Sequence, residues 1–76
     1  MPSAARSLRY RQFLERLRAA RIDAGLTQEQ VAQHLDRPQS FVSKCESGER
    51  RVDVIELELF AELYGKSLTY FLPPSS

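Results

Sequence analysis

The sequence predicts an all-α fold, a compact bundle of five helices in one domain. Apolar residues recur at helical spacing in five stretches, and glycine or proline follows most of them. No segment shows the alternation of apolar and polar residues that is typical of a strand. At 76 residues, the chain is near the lower size limit for a single unstapled core. We expect a flexible arm over residues 1–7, a folded domain over 8–72 and a tail over 73–76.

A short turn separates the first two predicted helices. The first begins near Leu8 and stops at Gly25, and its apolar residues are Tyr10, Phe13, Leu14, Leu17, Ala20 and Ala24. Thr27 and Gln30 have the spacing of a capping box, in which each side chain accepts a hydrogen bond from the other residue's backbone N–H. The second helix begins there, and its inner face consists of Val31, Ala32 and Leu35.

The third predicted helix follows a break at Asp36 and Pro38. Proline disfavours helical geometry at the residue before it, and aspartate tolerates left-handed backbone better than most residues do. The helix runs from about Pro38 to Ser47, where Gly48 provides a left-handed cap, and its inward residues are Val42 and Cys45.

A second capping box and a short apolar segment predict the last two helices. Asp53 and Glu56 begin the fourth helix, which runs to Gly65 and carries apolar residues at helical spacing, namely Ile55, Leu59, Phe60 and Leu63. The fifth helix begins at Ser67 and ends before two prolines. We expect it to close the core through contacts among Phe13, Leu17, Phe71 and Leu72.

The net charge of +1 hides an uneven distribution of charge along the chain. Residues 1–51 carry ten basic and six acidic side chains, a balance of +4, whereas residues 52–76 carry −3. A basic front and an acidic back suit a protein that offers one face to phosphates. The alternative is that these charges form ordinary solvated helix faces.

Composition excludes several classes of protein. One cysteine rules out an internal disulfide, and with one histidine it leaves no usual metal cluster, so we expect neither metal nor cofactor. The N-terminus lacks an apolar signal core, and no apolar run approaches the roughly 20 residues that span a bilayer. We therefore expect a cytoplasmic protein with no membrane partner. No serine has a histidine and an acid plausibly arranged around it, so an enzyme is not expected.

Residues 25–48 carry two short amphipathic helices joined by a tight turn. This segment resembles the helix-turn-helix of the phage repressor and Cro-like family, also called the xenobiotic-response-element family. The resemblance rests on residues in the expected order and spacing, which are Arg21, Gly25, Thr27, Gln28, Ala32, Ser43, Glu46 and Gly48. It covers about residues 13–72 and implies a lambda-repressor-like domain that binds double-stranded DNA through its second and third helices.

The resemblance and the side-chain chemistry assign roles around this motif. A short helix with a polar outer face can read base edges in the major groove, and the expected readers are Gln39, Ser40, Ser43 and Lys44. Phosphate contacts are expected from Gln28, which clamps the DNA backbone in this family, and from Arg37, Ser47, Arg50 and Arg51. The resemblance also implies an ion pair that joins the ends of the first and third helices, between Arg21 and Glu46.

Three residues near the motif have more than one interpretation. Phe41 either touches a thymine methyl or packs on the edge of the core, and we favour packing because proteins usually bury their own apolar area. Cys45 is interpreted as a small buried hydrophobe rather than a redox sensor. His34 is interpreted as an isolated surface residue.

Together these features predict a transcriptional regulator, acting as a repressor, that binds a palindromic operator as a homodimer. The expected dimer surfaces are the outer side of the fourth helix, the aromatic residues Tyr70 and Phe71, and the tail over 73–76. The alternative is a DNA-binding antitoxin or other interaction module of a toxin–antitoxin pair, or a restriction-modification controller. A toxin or RNA polymerase is then the candidate protein partner.

Overall fold

The computed structural model describes residues 8–73, so the predicted arm over 1–7 and residues 74–76 of the predicted tail lie outside the described residues. The elements in chain order are α1 (Leu8–Asp23), α2 (Gln28–Leu35), α3 (Gln39–Ser47), α4 (Val54–Tyr64) and a 3-10 turn (Leu68–Phe71). The prediction of an all-helical fold is confirmed, and residues 8–73 contain no strand.

The predicted fifth helix is a 3-10 turn of four residues, so the expected count of five helices is wrong. The Tyr70 N–H donates to the Ser67 carbonyl at 3.1 Å, and the Leu72 N–H donates to the Thr69 carbonyl at 3.2 Å. Each bond spans three residues, as in a 3-10 helix. A segment this short cannot form the run of successive bonds that makes an α-helix favourable after its nucleation.

Capping boxes begin α2 and α4, which confirms both predictions. At α2 the Gln30 N–H donates to Thr27 Oγ1 at 3.1 Å, and the Thr27 N–H donates to Gln30 Oε1 at 2.9 Å. At α4 the same exchange joins Asp53 and Glu56, at 2.7 and 3.0 Å. These bonds satisfy donors that the first turn of a helix leaves unpaired, and they fix where each helix begins.

The core contains side chains from all five elements, namely Phe13, Leu14, Leu17, Ala20, Val31, Ala32, Phe41, Val42, Cys45, Phe60, Ala61, Tyr64 and Phe71. Phe71 closes one end of it, as predicted, with its ring centroid 6.5 Å from that of Phe13. Leu72, which was expected to close the core too, is exposed because the chain leaves the 3-10 turn in extended backbone. Burial raises the pKa of the Cys45 thiol, as expected for a packing residue.

Apolar side chains lie on two sides of α4, and only one side faces the core. The buried side consists of Glu56, Phe60, Ala61 and Tyr64. The other side is open to solvent and consists of Val54, Ile55 and Leu59. Ile55 and Leu59 have the helical spacing of core residues, but they are 63% and 44% exposed. Spacing alone did not distinguish the two sides, because both repeat with the helical period.

The described residues were searched for membrane-spanning helices and for metal sites. None of the helices within residues 8–73 has the length and apolar character that crossing a membrane requires. The same part of the chain brings together no group of three or more His, Cys, Asp or Glu side chains that could hold a metal ion.

Candidate nucleic-acid interface

A tight turn with one left-handed residue places α3 after α2. Asp36 has φ 56° and ψ 47°, and its N–H donates to the Gln33 carbonyl at 3.2 Å. The Arg37 N–H donates to the Ala32 carbonyl at 2.9 Å, and Pro38 then begins α3 from extended backbone. Aspartate tolerates this conformation better than most residues, so the turn forms although position 36 is not a glycine.

α3 has a polar face toward solvent and an apolar face toward the core. Its buried side chains are Phe41, Val42 and Cys45. Its exposed side chains include the four predicted base readers, Gln39, Ser40, Ser43 and Lys44. These four residues therefore share one surface of one short helix, as contact with base edges in the major groove requires. Their reading of particular bases stays a prediction.

An ion pair with little exposure joins the C-terminal ends of α1 and α3. The Nε of Arg21 donates to Glu46 Oε2 at 2.6 Å, and its Nη2 donates to Oε1 at 3.2 Å. Its Nη1 donates to the Leu26 carbonyl at 2.9 Å, so the same guanidinium also holds the turn after α1. The side chains are only 12% and 6% exposed, and the hydrogen bond to Glu46 raises the pKa of Arg21. This geometry orients α3 relative to α1.

Gln28, the predicted phosphate clamp, is attached to the same ion pair. Its Nε2 donates to Glu46 Oε1 at 3.1 Å. An amide nitrogen carries two hydrogens, so one N–H remains beyond this bond to reach a phosphate oxygen. Gln28 is also the first residue of α2, where free backbone N–H groups favour an anion. The bond to Glu46 therefore holds the clamp in place without using all of its donors.

Phe41 packs on the core, which answers the question that the sequence left open. The residue is 8% exposed, and its ring centroid lies 6.2 Å from that of Phe60 with 9° between the ring planes. The Cζ atoms of Arg37 and Arg50 lie 4.6 and 4.9 Å from the Phe41 centroid. The ring is thus covered by protein, and little of it remains to meet a thymine methyl.

Arg50, a predicted phosphate contact, has an internal partner. Its Nη1 and Nη2 donate to the two carboxylate oxygens of Glu56, both at 2.7 Å. Nη1 also donates to the Arg51 carbonyl at 3.0 Å. The Arg50 guanidinium holds the pKa of Glu56 below its usual value. Contact of Arg50 with phosphate stays a prediction, and it requires the guanidinium to share or leave this carboxylate.

Sequence reasoning missed the pairing of Glu56 with Arg50. Its only sequence signal is the capping box with Asp53, which explains one hydrogen bond but predicts no cation beside the carboxylate. Together, Arg37, Phe41, Arg50 and Glu56 connect the start of α3, the loop after it and the first turn of α4. These four residues are called the Phe41 cluster below.

The other predicted contacts lie toward the C-terminal end of α3. Arg51 is exposed, with its Cζ 5.1 Å from the ring centroid of Tyr10. The Ser47 hydroxyl donates to the Lys44 carbonyl at 3.2 Å and accepts from the Glu49 N–H at 3.3 Å. Lys44 Nζ lies 3.7 Å from a Glu49 carboxylate oxygen, and exposed pairs of this kind are weak because water and salt screen them. Lys44 and Arg51 therefore keep their charges accessible to a nucleic acid.

Comparisons with known proteins agree with this geometry. The helix-turn-helix domain family matches residues 12–69, which include all of α2, α3 and α4. A solved structure of an XRE-family like protein from Pseudomonas syringae pv. tomato str. DC3000 is 47% identical over 78% of this chain and 72% of that one, with a TM-score of 0.72. A comparison with curated proteins yields no match. The chain therefore belongs to the helix-turn-helix DNA-binding proteins of the XRE type.

Proposed function

We propose that this chain is a sequence-specific transcriptional regulator that inserts α3 into the major groove of double-stranded DNA. The observation that carries the proposal is the exposed polar face of α3, on a helix that Arg21 and Glu46 hold against α1. In this arrangement Gln39 pairs with adenine, Lys44 pairs with guanine, and the two serines adapt to either base. Gln28, Arg37, Ser47 and Arg51 contact phosphates and set the register of the helix in the groove. The function is one of binding, without a catalytic step.

The regulator acts as a homodimer on a palindromic operator. A single copy of α3 covers one half-site, and two copies related by a two-fold axis cover half-sites about 10 base pairs apart. The open side of α4 supports a protein–protein contact, because adjacent exposed apolar side chains mark interaction surfaces. That side consists of Val54, Ile55 and Leu59. Phe71 is fully buried and is removed from the expected dimer surfaces, whereas Tyr70 is partly buried beside Arg16 and Lys66.

Repression is the regulatory effect that occupancy alone produces. A dimer bound across a promoter excludes RNA polymerase from the same DNA, with no further contact needed. We expect a reporter gene behind the selected operator to be silenced by the wild-type chain. The Lys44→Ala variant should silence it less well. Higher expression with the wild-type chain present would contradict repression and support contact with RNA polymerase instead.

Selection of bound sequences from random duplexes tests the proposal, with light scattering on the recovered complex. We expect a palindromic consensus occupied by two chains. Lys44→Ala should cost about 1–3 kcal/mol and relax preference at one base pair in each half-site. Arg18→Ala is the matched control, because Arg18 is an exposed residue of α1 and its loss removes the same charge. Absence of any enriched sequence would contradict specific binding.

The second candidate is a DNA-binding antitoxin or another protein-interaction module. The observation that favours it is the position of exposed Glu58 and Glu62 on α4, which also carries the open apolar side. Such a surface fits a partner with apolar and basic side chains. Light scattering discriminates the candidates, because a homodimer forms from the chain alone and dissociates in Leu59→Glu. A chain that stays monomeric at high concentration and on DNA would favour the interaction module.

A further inference from the structure

We propose that Phe41 positions the guanidinium of Arg37 for contact with a DNA phosphate. An inward-facing residue of α3 thereby becomes part of the DNA-binding machinery without touching DNA. This positioning role rests on the proposed function. It adds Phe41 to the residues that support DNA binding and gives a physical reason for the placement of Arg37. Phe41 is a positioning residue, since it acts only through Arg37.

Two guanidiniums approach the Phe41 ring, and their surroundings differ. Arg50 is held by both oxygens of Glu56 at 2.7 Å. Within residues 8–73, no carboxylate oxygen lies within ion-pair distance of Arg37, although its positive charge helps to lower the pKa of Glu56. The Phe41 cluster therefore carries one positive charge in excess. That charge belongs to Arg37, the more exposed of the two arginines.

The position of Arg37 suits a phosphate contact. The residue comes directly before Pro38, the N-cap of α3, and two positions before Gln39, the first predicted base reader. Protein contacts to phosphate beside a recognition helix fix the register of that helix in the groove. An arginine at this end of α3 is therefore well placed to bind the backbone next to the bases that α3 would read.

An aromatic ring restrains a guanidinium in a way that an aliphatic side chain does not. A free arginine samples many rotamers, and ordering it at an interface costs conformational entropy. The negative face of a ring attracts a guanidinium within about 6 Å, and the Arg37 Cζ lies 4.6 Å from the Phe41 centroid. Phe41 is itself fixed by stacking on Phe60, which is 1% exposed. The ring thus provides a rigid platform that orders Arg37 before DNA arrives.

The competing role for Phe41 is packing alone, and the two roles predict different salt dependence. If Phe41 only fills the core, its replacement by leucine lowers stability and leaves the number of phosphate contacts unchanged. If Phe41 orders Arg37, leucine also removes a phosphate contact. Each such contact contributes about 0.9 to the slope of log K against log salt.

The experiment measures binding of the full chain to a mixed-sequence duplex of about 20 base pairs, two helical turns, by fluorescence anisotropy over a range of salt. Phosphate contacts do not depend on sequence, so the operator need not be known. We expect Arg37→Gln to flatten the slope by about 0.9 for each bound chain and Phe41→Leu to flatten it nearly as much. Phe41→Tyr, which keeps the ring, should retain the wild-type slope. The double variant, with Arg37→Gln and Phe41→Leu together, should have the same slope as Arg37→Gln alone.

Two controls separate positioning from stability. Phe71→Leu removes a fully buried ring that packs on Phe13 and Tyr70, so it should lower Tm while leaving the slope unchanged. Phe41→pentafluorophenylalanine, made by chemical synthesis, keeps the size of the ring but removes its negative face. It should fold, flatten the slope and weaken binding by roughly two- to five-fold, the range of an exposed cation–π contact.

The outcomes distinguish this inference from the proposed function. If the wild-type chain binds DNA, and Phe41→Leu and the fluorinated chain both keep its slope of log K against log salt, the positioning role alone is overturned. A wild-type slope in Arg37→Gln would also overturn it, because Arg37 would then make no phosphate contact. A wild-type chain that binds no duplex at low salt would contradict DNA binding itself, and the positioning role with it.

Discussion

Two arginine–glutamate pairs connect α3 and the loop after it to other helices, and they differ in the exposure of the arginine and in separation along the chain. Arg21 and Glu46 are 25 positions apart, and their side chains are 12% and 6% exposed. Arg50 and Glu56 are six positions apart, and the Arg50 side chain is 41% exposed. The first pair connects α3 to α1, and the second connects the loop after α3 to the start of α4. The buried pair is suited to hold the fold, whereas Arg50 is exposed enough for a phosphate to compete with Glu56 for its guanidinium.

The physical basis of this difference is the cost of an unpaired charge. Removing one partner of a buried pair leaves the other charge without water or a counter-ion, which is strongly destabilising. An arginine at the surface can turn to solvent when its partner is lost, so the same change costs less.

The largest effect is expected from Glu46→Ala. This change leaves Arg21 unpaired and also removes the acceptor of the Gln28 amide. The free energy of unfolding should fall by about 3 kcal/mol. For a domain of 76 residues, this corresponds to a Tm lower by roughly 15 °C in thermal unfolding followed by circular dichroism. An unchanged Tm would show that the buried pair does not stabilise the fold more than the exposed one.

Glu56→Gln should lower stability less than Glu46→Ala and should alter its pH dependence. The pKa of Glu56 is lowered in the folded state, first by its hydrogen bonds with Arg50, from an ordinary value of 4.5. A lowered carboxyl pKa adds stability above that ordinary value, and this stability is lost as the pH falls through the folded-state pKa. The Tm difference between wild type and variant should therefore be full at neutral pH and should shrink below pH 4.5. A Tm difference that stays constant in acid would contradict a stabilising role for the charge of Glu56.

The same variant should strengthen the salt dependence of DNA binding. Glutamine keeps the oxygen that accepts the Asp53 N–H, but it no longer neutralises Arg50. If Arg50 then binds a phosphate, the slope of log K against log salt becomes steeper by up to about 0.9 for each bound chain. Glu62→Gln is the matched control, because it removes the same charge from an exposed position of α4. Equal slopes in the two variants would show that Arg50 stays away from DNA.

The smallest effect is expected from Asp23→Asn. Lys66 Nζ lies 2.8 Å from Asp23 Oδ2, and the aspartate side chain is 68% exposed. Exposed pairs of this kind contribute little because water and salt screen them. We expect Tm to remain within experimental error of the wild type, at low and at high salt. A large loss of stability would show that the exposure of an ion pair does not determine how much it stabilises this domain.

Much of the fold could be predicted from local patterns in the sequence. The capping boxes at Thr27 and Asp53 involve residues three positions apart, so their geometry depends on one turn of chain. The polar face of α3 follows from the helical period alone. The pairing of Arg21 with Glu46 was implied by the resemblance rather than by any local rule, since 25 positions separate them.

The rest of the site could not be predicted, for reasons that individual residues make clear. The sequence favoured packing of Phe41 but did not identify its partner, and only the structure shows that the ring stacks on Phe60. Arg50 was expected at a phosphate because it follows α3, and no spacing rule links it to Glu56 across the loop. Ile55 and Leu59 have the pattern of core residues, yet α4 turns them to solvent.

Local sequence patterns were enough to predict the helical class, the start of each capped helix and the polar character of the outer face of α3. These features arise within a few residues, where spacing and backbone chemistry act directly. The position of Phe41 beneath two arginines, the pairing of one of them with Glu56 and the choice of which apolar side of α4 is buried became clear only in the folded chain. Those outcomes depend on which elements pack against one another, and packing joins residues that are distant along the chain.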